Sequence, residues 1–329
     1  MAHVVVLATG GTIASTADAS GGSVATRTID SLLGGGRTGD ATDATDVTVE
    51  GRDVLHTNSF LLTHRDLRAI AEAVVEENAR GDVDGIVVTH GTDTLEETAF
   101  LVDLLHHGDK PVVFTGAQRA ADDPAPDGPG NLRQAIAAAA SPDTRGLGVL
   151  VGFAGYLYPA RGTRKAHTIN SAAFRHTDGG AIGSTTGDRV NIWAAPRRGP
   201  RQPPVTIRFD TTRVDVVVSH PGADAALAEA AVDAGAVGVI LAGTGTGNAN
   251  RALLEWARRA VAQGVSVGLS TRVAEGPVTP VYGNGGGHDL VAAGVVPYGS
   301  LPLPQARILA SYLLSTDRFP TDELVLPYI

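Results

Sequence analysis

The 329-residue chain has no cysteine, which excludes disulfides, thiol nucleophiles and thiolate metal sites. Aromatic residues are scarce at 5% and there is a single methionine, so aliphatic side chains must build the core. Cationic charge is in deficit, with 26 Lys and Arg against 35 Asp and Glu, a net charge of −9. That balance argues against sequence-independent nucleic-acid binding, which needs a basic stripe to neutralise phosphates. The one dense cationic stretch, Arg197-Arg198-Gly199-Pro200-Arg201, lies among prolines and reads as a solvated linker. No run approaches the ~18 consecutive apolar residues of a membrane span. The start, Met-Ala-His before a short apolar run, lacks the charged region and long apolar core of a signal peptide. The expectation is a cytoplasmic enzyme with neither a membrane nor a nucleic-acid partner.

What the chain does have is organised around two short segments, Thr9-Gly10-Gly11-Thr12-Ile13-Ala14 and His90-Gly91-Thr92-Asp93-Thr94. Each follows an apolar run, residues 3–8 and 85–89, that reads as a buried strand. Each therefore sits where a parallel strand leaves its sheet, the edge at which open α/β sheets bind ligands. Both loops offer threonine hydroxyls, glycines that let a ligand approach the backbone, and N–H groups. The second adds a carboxylate and the pattern of a capping box, Thr94 with Glu97. A hydroxyl nucleophile, a carboxylate and oxyanion donors on adjacent loops point to acyl transfer.

Much of the remainder reads as scaffold. Thr63, with Asp66 three residues on, caps a helix over 63–80 whose apolar stripe is Leu67, Ile70, Ala71, Val74 and Val75, and Gly81 ends it. A helix over 95–107 buries Phe100, Leu101, Leu104 and Leu105. His106 and His107 read as favourable charges at its C-terminal end rather than as metal ligands. Strands are expected at 53–55, 111–115 and 147–151, and Asn131 as the cap of an Ala-rich helix reaching Ala140. Residues 15–46, rich in Gly, Ser, Thr, Ala and Asp, form either a loose insertion or a functional lid hinged at Gly21-Gly22 and Gly34-Gly35-Gly36. After a Pro- and Arg-rich stretch at 195–204, strands at 214–219, 237–242 and 265–269 alternate with helices at 223–234, 251–263 and 304–315. The fold class is therefore α/β: a larger N-terminal parallel-sheet domain over 1–195, a linker over 196–211, and a smaller C-terminal parallel-sheet α/β domain over 212–329. The GTGTG run at 243–247 lacks the spacing of a dinucleotide-binding loop. No cofactor and no metal are expected.

TGGTIA near the N-terminus followed by HGTDT resembles the bacterial-type L-asparaginase family, and further matches run along nearly the whole chain. The resemblance implies hydrolysis of the L-asparagine side-chain amide through an acyl-enzyme on Thr12. It implies a relay of Thr92 and Lys165 oriented by Asp93. Lys165 is the match in 161–168 by its spacing from Arg161 and Phe174. It further implies substrate contacts from Gly11, Gly91 and Asp93, from Ser59 to the α-carboxylate, and from Ala117 to the side chain. Asn250, or else Asn248, would complete the site of a neighbouring subunit, so a homodimer or tetramer is expected. Backbone N–H groups near Gly11 or Ala117 and the Thr92 hydroxyl are the oxyanion donors to test.

The chain also departs from the family pattern. No tyrosine precedes Tyr156, where the family's lid carries one against the nucleophile. Ser23-Val24-Ala25-Thr26 stands there instead, leaving water, Ser23 or Thr26 to assist Thr12. Phe60 occupies the place of a glutamine at the substrate's amino end. The loop at 283–289 replaces an intersubunit glutamate, with Asn284 or Asp289 as substitutes. These changes keep alternatives open: a related amidohydrolase preferring glutamine or a D-isomer, the amide-hydrolysing subunit of a tRNA-dependent amidotransferase, or a catalytically silent amino-acid-binding protein.

Overall fold

A strand with no polar alternation is stable only where both of its faces are covered. β1 (Ala2–Gly10) is such a strand, buried from Val4 to Gly10. The computed structural model describes residues 1–17, 23–25, 28–32 and 47–329, which divide into two units, Met1–Pro204 and Val205–Ile329. After β1 the first unit runs through a short antiparallel pair, β2 (Ser15–Ala17) and β3 (Ser23–Ala25), then α1 (Ile29–Leu32) and β4 (Val47–Thr57). Next come α2 (His64–Ala79), β5 (Gly85–Thr89), α3 (Leu95–Leu105), β6 (Val112–Thr115) and α4 (Gly128–Ala140). The strands β7 (Val149–Phe153), β8 (Tyr156–Pro159), β9 (Thr163–Lys165), β10 (Phe174–His176), β11 (Gly183–Thr186) and β12 (Arg189–Ile192) close it.

Eight of these strands form one sheet in the order β12-β11-β8-β7-β6-β5-β1-β4. Neighbours from β4 to β7 are parallel, and β8, β11 and β12 add an antiparallel end. The sheet is thus mostly, not wholly, parallel. Val4, Val6, Ala8, Val87, Val113 and Leu150 pack with Leu132, Ala135 and Ile136 of α4. The two-residue strand repeat turns Val5, Leu7 and Val88 to the opposite face, where α2 packs on β1, β4 and β5, and α3 on β7. From β1 the chain passes to β4 on one side and returns to β5 on the other. The crevice at the carboxyl ends of β1 and β5 is therefore the topological switch point, the favoured ligand position in such sheets.

The second unit is a wholly parallel four-stranded sheet, β13 (Val214–Val218), β14 (Gly238–Gly243), β15 (Ser266–Thr271) and β16 (Val296–Pro297), in that order. Its helices are α5 (Ala226–Asp233), α6 (Arg251–Ala262), α7 (Gly287–Ala292), α8 (Leu303–Ser315) and α9 (Asp322–Val325). α8 packs on β13, β14 and β15, while Val239, Leu241, Leu253, Trp256 and Leu269 belong to its core.

Several local expectations are corrected. The Thr63–Asp66 capping box is present, but α2 ends on Arg80 rather than Gly81. Thr94 holds the N-cap position of α3 but makes no side-chain capping bond; its hydroxyl donates to the Ser59 carbonyl at 2.9 Å. Asn131 lies inside α4 and does not cap it. Its amide donates to Gly116 O (2.9 Å) and its Oδ1 accepts from Ala154 N (3.1 Å), tying the helix to two strand ends. His106 carries no favourable charge, because burial pushes its imidazole down to about 4. Residues 193–206 have no regular structure and lead into a 3-10 turn at Ile207–Thr211. No helix among the described residues is long and apolar enough to cross a membrane. The hinges at Gly21-Gly22 and Gly34-Gly35-Gly36, Thr26 and the Ser23 side chain lie outside the described residues.

Candidate active site

The loop leaving β1 turns on two glycines in the left-handed region, Gly10 at φ +99° and Gly11 at φ +79°. Gly11 N donates to Thr57 O at 3.0 Å, and its carbonyl accepts from Ala14 N (3.0 Å) and Ser15 Oγ (2.8 Å). These bonds fix a 3-10 turn, Thr12–Ala14, that places half-buried Thr12 at its start. A Cβ at Gly11 would strike the backbone of Gly91, and one at Gly91 would strike the Ser59 side chain. Gly11, Gly91 and Ser59 therefore meet at backbone contact, a packing only glycine permits. Three loops, after β1, β4 and β5, converge here as the parallel pairing of Ala8 with Thr89 requires.

The second cluster stands on the β5 loop. Lys165 Nζ lies 2.8 Å from Thr92 Oγ1 and 2.8 Å from Asp93 Oδ1. The Lys165 side chain is 15% exposed and that of Asp93 55% exposed, so the pair opens toward solvent on the Asp93 side. Thr92 accepts from Lys165 and donates to Gln118 Oε1 at 2.8 Å. Gln118 has no freedom to reverse that bond, because its Nε2 donates to the carbonyls of Thr168 (3.1 Å) and Asn170 (3.3 Å). Its own backbone N–H, with that of Arg119, is held by the Asp127 carboxylate. Below Thr92, His90 is wholly buried, and burial pushes its imidazole down to about 4, leaving it neutral at pH 7.

The structure thus brings together Thr12, Gly11, Gly91 and Ser59 through their adjoining loops, and Thr92, Asp93 and Lys165 through direct hydrogen bonds. Ala117 is buried, and together with Ile13 it crowds the space beside Gly128. Phe60 is 64% exposed and makes an apolar surface next to Ser59. In the second unit, Asn250 is spent locally. Its Oδ1 caps α6 through Leu253 N (3.0 Å) and its Nδ2 donates to Ala223 O (2.7 Å). Asn248 Oδ1 accepts from Gly287 N, Asn284 accepts from Arg251, and Asp289 accepts from Gly285 N. Sequence reasoning missed Gln118 as a partner of Thr92, and also Glu96, a buried carboxylate on α3 that accepts the backbone N–H of Lys165. Gln118 stood beside Ala117 in an already selected turn. Glu96 carried the weak signal of an acidic residue in a first helical turn.

Comparison with known proteins agrees along the whole chain. Residues 3–198 match the family description "Asparaginase, N-terminal" and residues 213–323 match "Glutaminase/Asparaginase C-terminal domain". A protein named probable L-asparaginase from Deinococcus radiodurans is 36% identical, over 95% of this chain and 93% of its own. L-asparaginase 2 of Bacillus subtilis is 32% identical, over 97% and 84% respectively. The crystal structure of a probable cytoplasmic L-asparaginase from Campylobacter jejuni superimposes with a TM-score of 0.86 at 26% identity, covering 100% of this chain and 99% of that one.

Proposed function

The chain belongs to the bacterial-type L-asparaginase family, and from that membership we propose that it hydrolyses L-asparagine to L-aspartate and ammonia through an acyl-enzyme on Thr12. The observation that carries this reading is the Thr92–Lys165–Asp93 cluster on the loop whose glycine abuts that of the Thr12 loop. Thr12 Oγ attacks the amide carbon; one proton leaves the hydroxyl, and the departing nitrogen takes one up as ammonia. The relay therefore moves a single proton from oxygen to nitrogen, and Thr92 passes it with Lys165 as its reservoir. Water then cleaves the ester, and the Thr12 hydroxyl is restored. Lys165 serves as base only when uncharged, and in that form it takes the Thr12 proton through Thr92 as attack occurs and hands it to the departing nitrogen. The proposed oxyanion donors are the backbone N–H groups beside Gly11 and at Ala117, since the Gly11 N–H is held by Thr57 O and the Thr92 hydroxyl by Gln118.

Ser59, Gly11, Gly91 and Asp93 hold the α-carboxylate and α-ammonium, and Ala117 limits the side-chain end. Phe60 gives the amino end an apolar neighbour in place of a polar contact, which shifts substrate preference or affinity. The family name of the C-terminal match includes glutaminase. The proposed assembly is a homodimer or tetramer in which Asn250 or Asn248 approaches a partner's site, and the proposed location is the cytoplasm. The test is ammonia release by wild-type and Thr12→Ala protein from L-Asn, D-Asn, L-Gln and D-Gln. The reading requires fast release from L-Asn that falls about 10³-fold or more in the variant. Equal release by both proteins, or none from any substrate, would contradict it.

A further inference from the structure

Lys165 is held at both ends by one short stretch of chain. Its Nζ touches Thr92 and Asp93, just ahead of α3, and its backbone N–H donates to Oε2 of Glu96 in the first turn of that helix. This second anchor matters because β9 is a three-residue strand paired only with β10, outside the main sheet. Without another strand beside it, the Lys165 N–H finds its acceptor in the Glu96 carboxylate. Glu96 is only 8% exposed, and burying a carboxylate costs free energy that a solvent-facing glutamate would not incur.

Building on the reading of Lys165 as the relay amine, we propose that Glu96 is a positioning residue that fixes the Lys165 backbone so that Nζ meets Thr92 and Asp93 in one geometry. Proton relays lose rate steeply when their groups are misplaced by as little as about 1 Å. Glu96 also changes charge near neutrality. Burial pushes its carboxyl up to about 7, while the Lys165 N–H, Arg164 and the Lys165 cation oppose the rise and Glu97 adds to it. The groups that face it are therefore Arg164 and Lys165 on β9 and Glu97 on its own helix.

The experiment compares ammonia release from L-asparagine by wild-type, Glu96→Gln and Glu96→Ala protein from pH ~5.5 to ~9, with thermal unfolding in parallel. Glu96→Ala is expected to lose about 10- to 100-fold in kcat with KM within about twofold. Glu96→Gln, whose amide oxygen still accepts the N–H, is expected to recover to within about fivefold, and its kcat profile to lack an inflection near pH 7 that is expected of the wild type. Wild-type kcat in Glu96→Ala, or an unchanged profile in a merely less stable Glu96→Gln, would overturn the positioning role alone. An inactive wild type, or an active Thr12→Ala, would overturn the reading of the site and this inference with it.

Discussion

Gly- and Thr-rich loops follow buried parallel strands in both units, after β1 and β5 in the first and after β14 in the second, and they are put to opposite uses. After β14 most of the polar groups are consumed locally, the buried Thr246 hydroxyl excepted. Thr244 bonds Asn248 O, Thr271 bonds Gly245 O, Asn248 holds Gly287 N and Asn250 caps α6. After β1 and β5 the loops are pressed together through Gly11 and Gly91, and a lysine from a distant ribbon is drawn onto Thr92 and Asp93. A glycine-rich turn at a strand end is common. A site needs, in addition, a charged group brought from elsewhere in the chain and hydroxyls facing one another across a crevice. The switch point in the first sheet receives that charged group, Lys165, and sets the Thr12 loop against the Thr92 loop through Gly11 and Gly91.

The sharpest way to break this comparison is to remove the imported charge. Lys165→Met is expected to cost about 10² to 10³-fold in kcat, read from ammonia release, with KM little changed. A variant with wild-type kcat would reduce the cluster to an ion pair. Backbone contact is the next distinction. Gly11→Ala forces a side chain into a left-handed φ and against Gly91. It should lose about 1–3 kcal/mol of stability along with activity. Gly245 has φ +53°, and a Cβ there would meet only the Asn248 side chain, at an ordinary contact distance of 3.8 Å. Gly245→Ala should therefore keep activity and shift thermal unfolding by less.

Asn250→Ala tests the capping role directly. Loss of the cap should cost about 1 kcal/mol, with kcat in the assembled enzyme within about threefold. A rise in KM for L-asparagine beside that loss would place Asn250 at the partner's site as proposed, and an unchanged KM would leave it a cap alone. The last effect is set by pH and concerns the buried imidazoles. His90 and His106 have folded values near 4, below the ordinary 6.5. The unfolded chain therefore binds more protons between those limits, and stability falls as pH drops from about 6.5 toward 4. Thermal midpoints against pH should show this decline, and His106→Gln should flatten it.

The same contrast explains what was legible in the sequence. β1 and β5 announce themselves because strands buried on both faces need unbroken apolar runs. α2 is legible from its stripe and its Thr63–Asp66 box. The short strands β8 to β12 are not, since three or four residues, at the antiparallel end of the sheet or in the separate β9–β10 pair, impose little pattern. Lys165 was reachable by family resemblance alone, because β9 shows no periodicity that places its side chain against Thr92. Gln118 and Glu96 stayed hidden for another reason. Each acts by accepting one hydrogen bond from a residue far along the chain, Thr92 and Lys165 respectively. No local pattern records such a pairing. Asn131 and Thr94 were misread in the complementary way: residues suited to helix caps were taken up by tertiary hydrogen bonds.

The central claim is that the Thr12 hydroxyl forms the covalent intermediate, and mass spectrometry of rapidly quenched, digested enzyme tests it most directly. With L-asparagine present, the account predicts an aspartyl ester on the peptide containing Thr12, absent from Thr12→Ala protein. An ester on Thr92 or Ser15, or ammonia release by Thr12→Ala at the wild-type rate, would contradict it.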